Sequence, residues 1–253
     1  MKRLIPLLLL APALASADDC KHEDRRQLAP SLEGVATVRF EVNSHDLRLA
    51  GGTDDAPARL DVRACASDPD YLDQLVVETR RQGDTLVVSA ERRGQSVGIF
   101  FSPTYANLVV DATLPAGLAY EVDVGSGDAS VRGVSRLEAR VGSGDLDARD
   151  ITGAMRVSVG SGDVEIDRVG SLDIRSVGSG DVEAARIGGD ARIGSVGSGD
   201  VELDGVGGSV DVGSIGSGDV DVRDVAGDLV VERVGSGEVR HGGVRGRTSL
   251  PSN

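Results

Sequence analysis

The sequence predicts an all-β protein: a parallel β-solenoid of about seven coils, each of 17 to 19 residues, preceded by a strand-rich N-terminal region. Three observations predict it. The tripeptide GSG recurs at Gly125, Gly142, Gly160, Gly178, Gly197, Gly216 and Gly235, in steps of 17, 18, 18, 19, 19 and 19 residues, and a fixed period of this size marks repeat architecture. Between the turns, apolar and charged residues alternate with period two, as a strand with one buried and one wet face requires. All six aromatic residues, Phe40, Tyr71, Phe100, Phe101, Tyr105 and Tyr120, precede the repeats, so the repeat core is built from Val, Ile, Leu and Ala and must be thin.

Each period divides again. Segments opened by Asp181, Asp190, Asp200, Ser209, Asp219, Asp228 and Glu238 lie 9 or 10 residues apart, which gives two strands and two turns per coil. Val164 and Ile166 share one face against Glu165 and Asp167; Leu172 and Ile174 oppose Asp173 and Arg175; Val201 and Leu203 oppose Glu202 and Asp204; Val220 and Val222 oppose Asp221 and Arg223. A two-strand unit cannot cover its own apolar face, whereas stacked units form a continuous core. Seven coils about 4.8 Å apart rise roughly 30 Å. Antiparallel pairing of the same half-repeats is the alternative topology.

Residues 1–17 read as a secretory signal peptide: Lys2 and Arg3, an apolar run to about Leu14, then Ala15-Ser16-Ala17 before the cleavage point. The run is too short to span a membrane. Residues 18–34 read as a polar arm, 35–124 as the strand-rich region that closes one end of the solenoid, 125–240 as the repeats and 241–253 as a polar tail. The segments VATVRFEV, ARLDVRA, QLVVETRR, DTLVVSAERR and NLVVDATLPAG are the strands of the first region. An exported chain permits a disulfide, and Cys20 with Cys65 is the one pair available; two unpaired thiols are the alternative. An open terminal coil would offer unpaired backbone for self-association.

The formal charge is −14, from 27 Lys and Arg against 41 Asp and Glu. This balance argues against nucleic acid, which needs clustered cations, and against unassisted binding to an anionic membrane. No motif carries catalysis. The GSG serines lack a recurring base, since His22, His45 and His241 do not follow the period. GVGGSVDVG lacks the glycine order and lysine of a nucleotide loop. The acids repeat on every wet face, whereas a glycosidase needs two carboxyls in differentiated environments.

The corner glycines, Gly125 and Gly127, Gly142 and Gly144, Gly160 and Gly162, Gly178 and Gly180, Gly197 and Gly199, Gly216 and Gly218, Gly235 and Gly237, read as tight turns whose positive φ only glycine tolerates. Asp128, Asp145, Asp163, Asp181, Asp200, Asp219 and Glu238 follow them and would form a column. At 4.8 Å two charges repel by roughly 0.9 kcal/mol even in bulk water, so something must compensate. Turn amides can do so; a shared calcium ladder is the alternative. The acid falls one residue earlier than in the calcium-binding G-G-x-G-x-D pattern, which favours the amides and leaves no cofactor required.

The run NLVVDATLPAGLAYEVDVGSGD, with Leu114-Pro115-Ala116-Gly117 leading into a strand, followed by VGSGDVEIDRVG, VGSGDVEAARIGG and IGSGDVDVRDVAGD, resembles the bacterial putative-adhesin family of exported β-repeat domains of undefined activity, over about residues 35 to 240. The resemblance implies a right-handed, largely parallel solenoid at the bacterial envelope without catalytic apparatus. The expected function is a non-enzymatic periplasmic or extracellular module presenting a rigid acidic surface to an envelope protein or glycan. A calcium-dependent self-assembling scaffold is second, and a polysaccharide hydrolase a distant third.

Overall fold

A computed structural model of the chain describes residues 20–53, 57–94 and 104–251. The signal peptide with its cleavage at Ala17, and Phe100 and Phe101, lie outside the described residues. The N-terminal segments form β1 (His22–Leu28), β2 (Thr37–Asn43), β3 (Asp46–Gly52), β4 (Arg59–Ala66), the single turn α1 (Pro69–Leu72), β5 (Leu75–Gln82), β6 (Thr85–Arg92) and β7 (Ala106–Pro115). The repeats form β8 (Ala119–Val124), β9 (Ala129–Arg132), β10 (Arg136–Val141), β11 (Leu146–Val159), β12 (Val164–Val177), β13 (Val182–Ile187), β14 (Ala191–Val196), β15 (Val201–Val206), β16 (Val210–Ile215), β17 (Val220–Val225), β18 (Leu229–Val234), β19 (Val239–Gly242) and β20 (Thr248–Ser249).

These strands make two facing sheets. The first runs β5, β6, β2, β8, β10, β11, β12, β14, β16, β18, β20; the second runs β1, β4, β7, β3, β9, β11, β12, β13, β15, β17, β19. The long strands β11 and β12 pass through a corner and lend one half to each sheet. All pairings are parallel except β1 with β4, β4 with β7 and β5 with β6, so the repeats stack in parallel and the antiparallel alternative does not occur there.

The register puts like on like. Val164, Val182, Val201, Val220 and Val239 stand in one column, and the alternating residues named from sequence, from Val164 to Val222, are 3 % exposed or less on their apolar side. Phe40 and Tyr120 fill the wider N-terminal part, fully buried, with the Tyr120 hydroxyl donating to the Pro115 carbonyl at 2.6 Å.

The parallel stack reaches further toward the N-terminus than the GSG count suggests. β2 and β3 pair with β8 and β9 on one side and with β6 and β7 on the other. Residues 37–52 are therefore a coil of the solenoid, and the chain lays it down before the coil that precedes it in space. The polar arm also contains a strand: β1 lies along β4 from His22 opposite Ala66 to Leu28 opposite Leu60. Cys20 and Cys65 are joined by a disulfide with their Cα atoms 5.6 Å apart, tethering the start of β1 to β4.

The reason for the corner glycines differs from the expected one. None of the fourteen has a positive φ. A Cβ at the second glycine would instead strike the backbone of the coil before: at Gly180 it would lie 1.9 Å from the Gly162 oxygen, and at Gly144 1.7 Å from the Gly127 oxygen. Close approach of coils, not turn dihedral, excludes a side chain. Left-handed residues occur at Asn43 and at the other corner, where Asp150, Arg168, Arg186 and Asp224 share the conformation with Gly133, Gly205 and Gly243.

In the coil of β2 and β3, Asn43-Ser44-His45-Asp46 occupies the GSGD place. His45, 2 % exposed, stands where later coils carry the second glycine. Its Nδ1 accepts a hydrogen bond from the Leu108 amide at 3.2 Å. Burial pushes its pKa below the ordinary 6.5, against a raising effect of Asp46 and with a lowering one from Arg92.

Two outcomes follow. Gly180→Ala should lower the urea midpoint by an amount equivalent to about 1–3 kcal/mol or more, as overpacking does, while Gly242→Ala, with nothing within 4 Å of the added carbon, should be neutral. For His45, both states are neutral well above pH 6.5. As pH falls through that value the unfolded chain takes the proton first, so stability declines until the lower folded pKa is reached. Urea melts at a series of pH values should show this decline in the wild type and a shallower one in His45→Asn.

Candidate functional site

The corner chemistry can be built atom by atom. The Gly142 amide donates to the Val124 carbonyl at 2.8 Å, and the Ser143 and Gly144 amides both donate to the Gly125 carbonyl, at 2.7 and 3.2 Å. The same pattern recurs up to Gly235, Ser236 and Gly237. The GSG amides are thus spent on the preceding coil and cannot cradle a phosphate. The aspartate that follows uses both its carbonyl and its side chain: the Asp145 carbonyl accepts from the Ala129 amide, while Asp128 Oδ1 accepts from the Asp145 amide at 3.3 Å.

That last bond is a ladder. Asp145 Oδ1 accepts from the Asp163 amide at 3.1 Å, Asp163 from Asp181 at 3.2 Å, Asp181 from Asp200 at 2.9 Å, Asp200 from Asp219 at 2.8 Å and Asp219 from Glu238 at 2.9 Å. The ladder begins one rung earlier than the GSGD motif, with Asp46 Oδ1 accepting from Asp128 at 3.2 Å. Sequence reasoning missed Asp46; its signal was NSHD, which keeps the serine and acid of GSGD but neither glycine. A second ladder follows the half-repeat openers at another corner: Asp190 Oδ1 accepts from the Ser209 amide, Ser209 Oγ from the Asp228 amide and Asp228 Oδ1 from the Arg247 amide, at 2.9, 3.1 and 2.7 Å.

One oxygen of each aspartate in the ladders is therefore held by a backbone N–H, which places a partial positive charge between successive acids; the terminal Glu238 carboxylate is met by Arg240 instead. Among the described residues, no three His, Cys, Asp or Glu side chains are grouped as metal ligands. Arg240 reaches both Asp219 and Glu238, at 3.2 and 2.6 Å. Asp228 is held below the usual carboxylate range by the Arg247 amide and then by its guanidinium.

The two outer faces differ. On the first sheet Arg39, Glu121, Glu138, Arg156, Asp173, Arg192 and Asp211 stand in one outward column, with ion pairs Arg39–Glu121 at 2.6 Å and Arg156–Asp173 at 2.9 Å. On the second, the corresponding column is Arg48, Ser130, Asp147, Glu165, Glu183, Glu202, Asp221 and Arg240, with five acids in succession, beside the longer ladder. Arg149 pairs with Asp147 and Glu165, and Arg223 with Glu202 and Asp221. Between those arginines Asp163, Asp181, Glu183, Asp200 and Asp204 have no ion-pair partner among the described residues. A shallow hollow of about 430 Å³ lies where this face meets the ladder's first rungs, lined in part by Asp46, Asp128, Asp145, Asp147 and Glu165.

The histidines make no site with the GSG serines. His45 is buried against the Leu108 amide, and His22 and His241 sit on the outermost strands of the second sheet at opposite ends. Among the described residues, no helix is long and apolar enough to cross a membrane.

Fold and corners together define a parallel β-solenoid repeat protein with one charge-balanced and one acidic face. A solved structure described as a putative adhesin from Parabacteroides merdae shares this fold, with a TM-score of 0.55 at 14% identity over 90% of this chain and 96% of that one. A putative adhesin from Bacteroides fragilis matches at 14% identity over 91% and 98%, TM-score 0.42. A putative lipid binding protein from Parabacteroides distasonis matches at 17% over 90% and 97%, TM-score 0.40. No family model matches the chain, and no curated protein matches its sequence.

If amides hold the ladder, Asp181→Asn, which keeps an acceptor oxygen, should melt near the wild type, whereas Asp181→Ala should lose about 1 kcal/mol, the usual net worth of a hydrogen bond. Millimolar calcium should leave the melting temperature of all three proteins unchanged in calorimetry; a steep rise would assign the column to the ion.

Proposed function

We propose that the chain is a non-enzymatic, exported binding module of the bacterial envelope, periplasmic or extracellular, that engages a protein or glycan through the acidic outer face of its second sheet. The observation that carries this is the run of Asp163, Asp181, Glu183, Asp200 and Asp204, exposed, fixed on adjacent coils at the corner and on the strand that follows it, and without cations of their own among the described residues. Self-repulsion along such a face costs stability that the fold does not need for its core, and a partner bearing positive charge would relieve it. The adhesin name of the Parabacteroides merdae structure that shares the fold supports a binding role, and a partner of opposite charge excludes nucleic acid.

The test removes charge from this run and keeps the corner bonds. Glu183→Gln and Asp204→Asn touch no ladder bond, and Asp181→Asn keeps its acceptor oxygen for the Asp200 amide. In a pulldown from envelope extract, the wild type should recover partners that elute with rising salt, and the triple variant should lose most of that recovery while melting normally. Equal recovery by both proteins would reject the acidic face as the contact.

A further inference from the structure

Parallel stacking leaves an edge at each end of the solenoid, and an unprotected edge pairs with whatever strand it meets. At the N-terminal end the stack is finished by β1 and β5, antiparallel strands whose exposed positions include Glu23, Arg25, Glu78 and Arg80. At the C-terminal end the parallel order continues to the last strands, β19 and β20. That end carries three departures from the repeat, and all act in one direction.

Two of the inner columns stop on polar residues, although the neighbouring column ends on Val239 and Leu250 is left exposed. Ile166, Ala184, Leu203 and Val222 are followed by His241, and Ala191, Val210 and Leu229 by Thr248; both terminal residues are exposed. The second ladder stops on an arginine. Arg247 stands where the next acceptor belongs, gives its amide to Asp228 Oδ1, and folds its guanidinium back onto Asp228 Oδ2 at 3.0 Å, so no side-chain oxygen faces onward. The strands also shorten, from six residues in β18 to four in β19 and two in β20.

We propose that residues 239–251 are a built-in stop, which prevents the terminal coil of this protein from pairing edge to edge with the same coil of a second copy. The stop works by withholding what the preceding coil offers its successor: apolar residues in two inner columns, the acceptor of the second ladder and six-residue strands. The cations Arg240, Arg245 and Arg247, with no acid after Glu238, add like-charge repulsion between two such ends. This inference is independent of the acidic face and concerns the opposite feature, the surface at which contact is denied.

The experiment restores the repeat. In the full-length processed chain, His241→Val, Arg247→Ser and Thr248→Val return the column residues of earlier coils, serine being the residue of Ser209 in the same ladder. Analytical ultracentrifugation over a range of concentrations should find the wild type a monomer throughout and the triple variant shifting to twice the mass, with hydrogen exchange of the β19 amides slowed in the heavier species. Arg247→Ser alone, the mildest change, is measured beside it and should show the same shift at higher concentration, so a triple variant that fails to fold still leaves a reading. The proposal falls if folded variants stay monomeric, or if the wild type itself doubles through β19.

Discussion

The constraint on which this molecule rests is the closeness of successive coils at the GSGD corner. A carbonyl oxygen of one coil lies where the Cβ of the next would be, at 1.7 to 2.1 Å for the second glycine of the internal corners. Only because the coils approach this closely can the aspartate carboxylate of one reach the aspartate amide of the next, at 2.8 to 3.3 Å. Glycine and aspartate are thus one device: the first removes bulk, and the second binds the amide that is brought within reach. The backbone pays no unsatisfied donor there, which is the usual penalty for burying a corner.

This device divides the acids into two populations with different physics. Ladder acids face backbone amides and are part of the framework. The strand-face acids have no framework role, and on the second sheet Glu183 and Asp204 lack a counter-charge among the described residues. The first sheet shows that the same fold readily accepts a balanced column, since Arg39, Glu121, Arg156 and Asp173 pair across its strands. Nothing in solenoid geometry therefore demands an acidic second face, and its excess charge is a property of the surface presented to other molecules.

Much of this was legible in the sequence, for identifiable reasons. Period-two alternation named the buried side of each repeat strand because the thin core takes Val, Ile, Leu and Ala with only Met155 beside them among residues 125–240, and the acid column was visible because the period is short and regular. Asp167, on the outer side of its strand, is nevertheless buried, paired with Arg168 and Arg186. Asp46 was not, because residues 53–118 separate its coil from the next and because His45 can replace glycine only where the neighbour is the β7 backbone. β1 escaped notice because it is half-buried along its length and its sequence, HEDRRQL, has no apolar alternation. The cause of the glycines was also misassigned, since a turn dihedral and an intercoil collision call for the same residue.

The coil formed by β2 and β3 sits between two coils that are both synthesised after it. Arg39 and Glu121, joined across that junction at 2.6 Å, are 82 positions apart in the chain. A solenoid whose coils followed chain order could build outward from its first coil as the chain emerged. Here the first coil waits, exposed on both flanks, until residues up to about Arg132 have followed it. The natural starting point for assembly is then the middle of the chain, where each coil touches only its immediate predecessor, and the N-terminal third closes last, by long loop closures that are entropically slow.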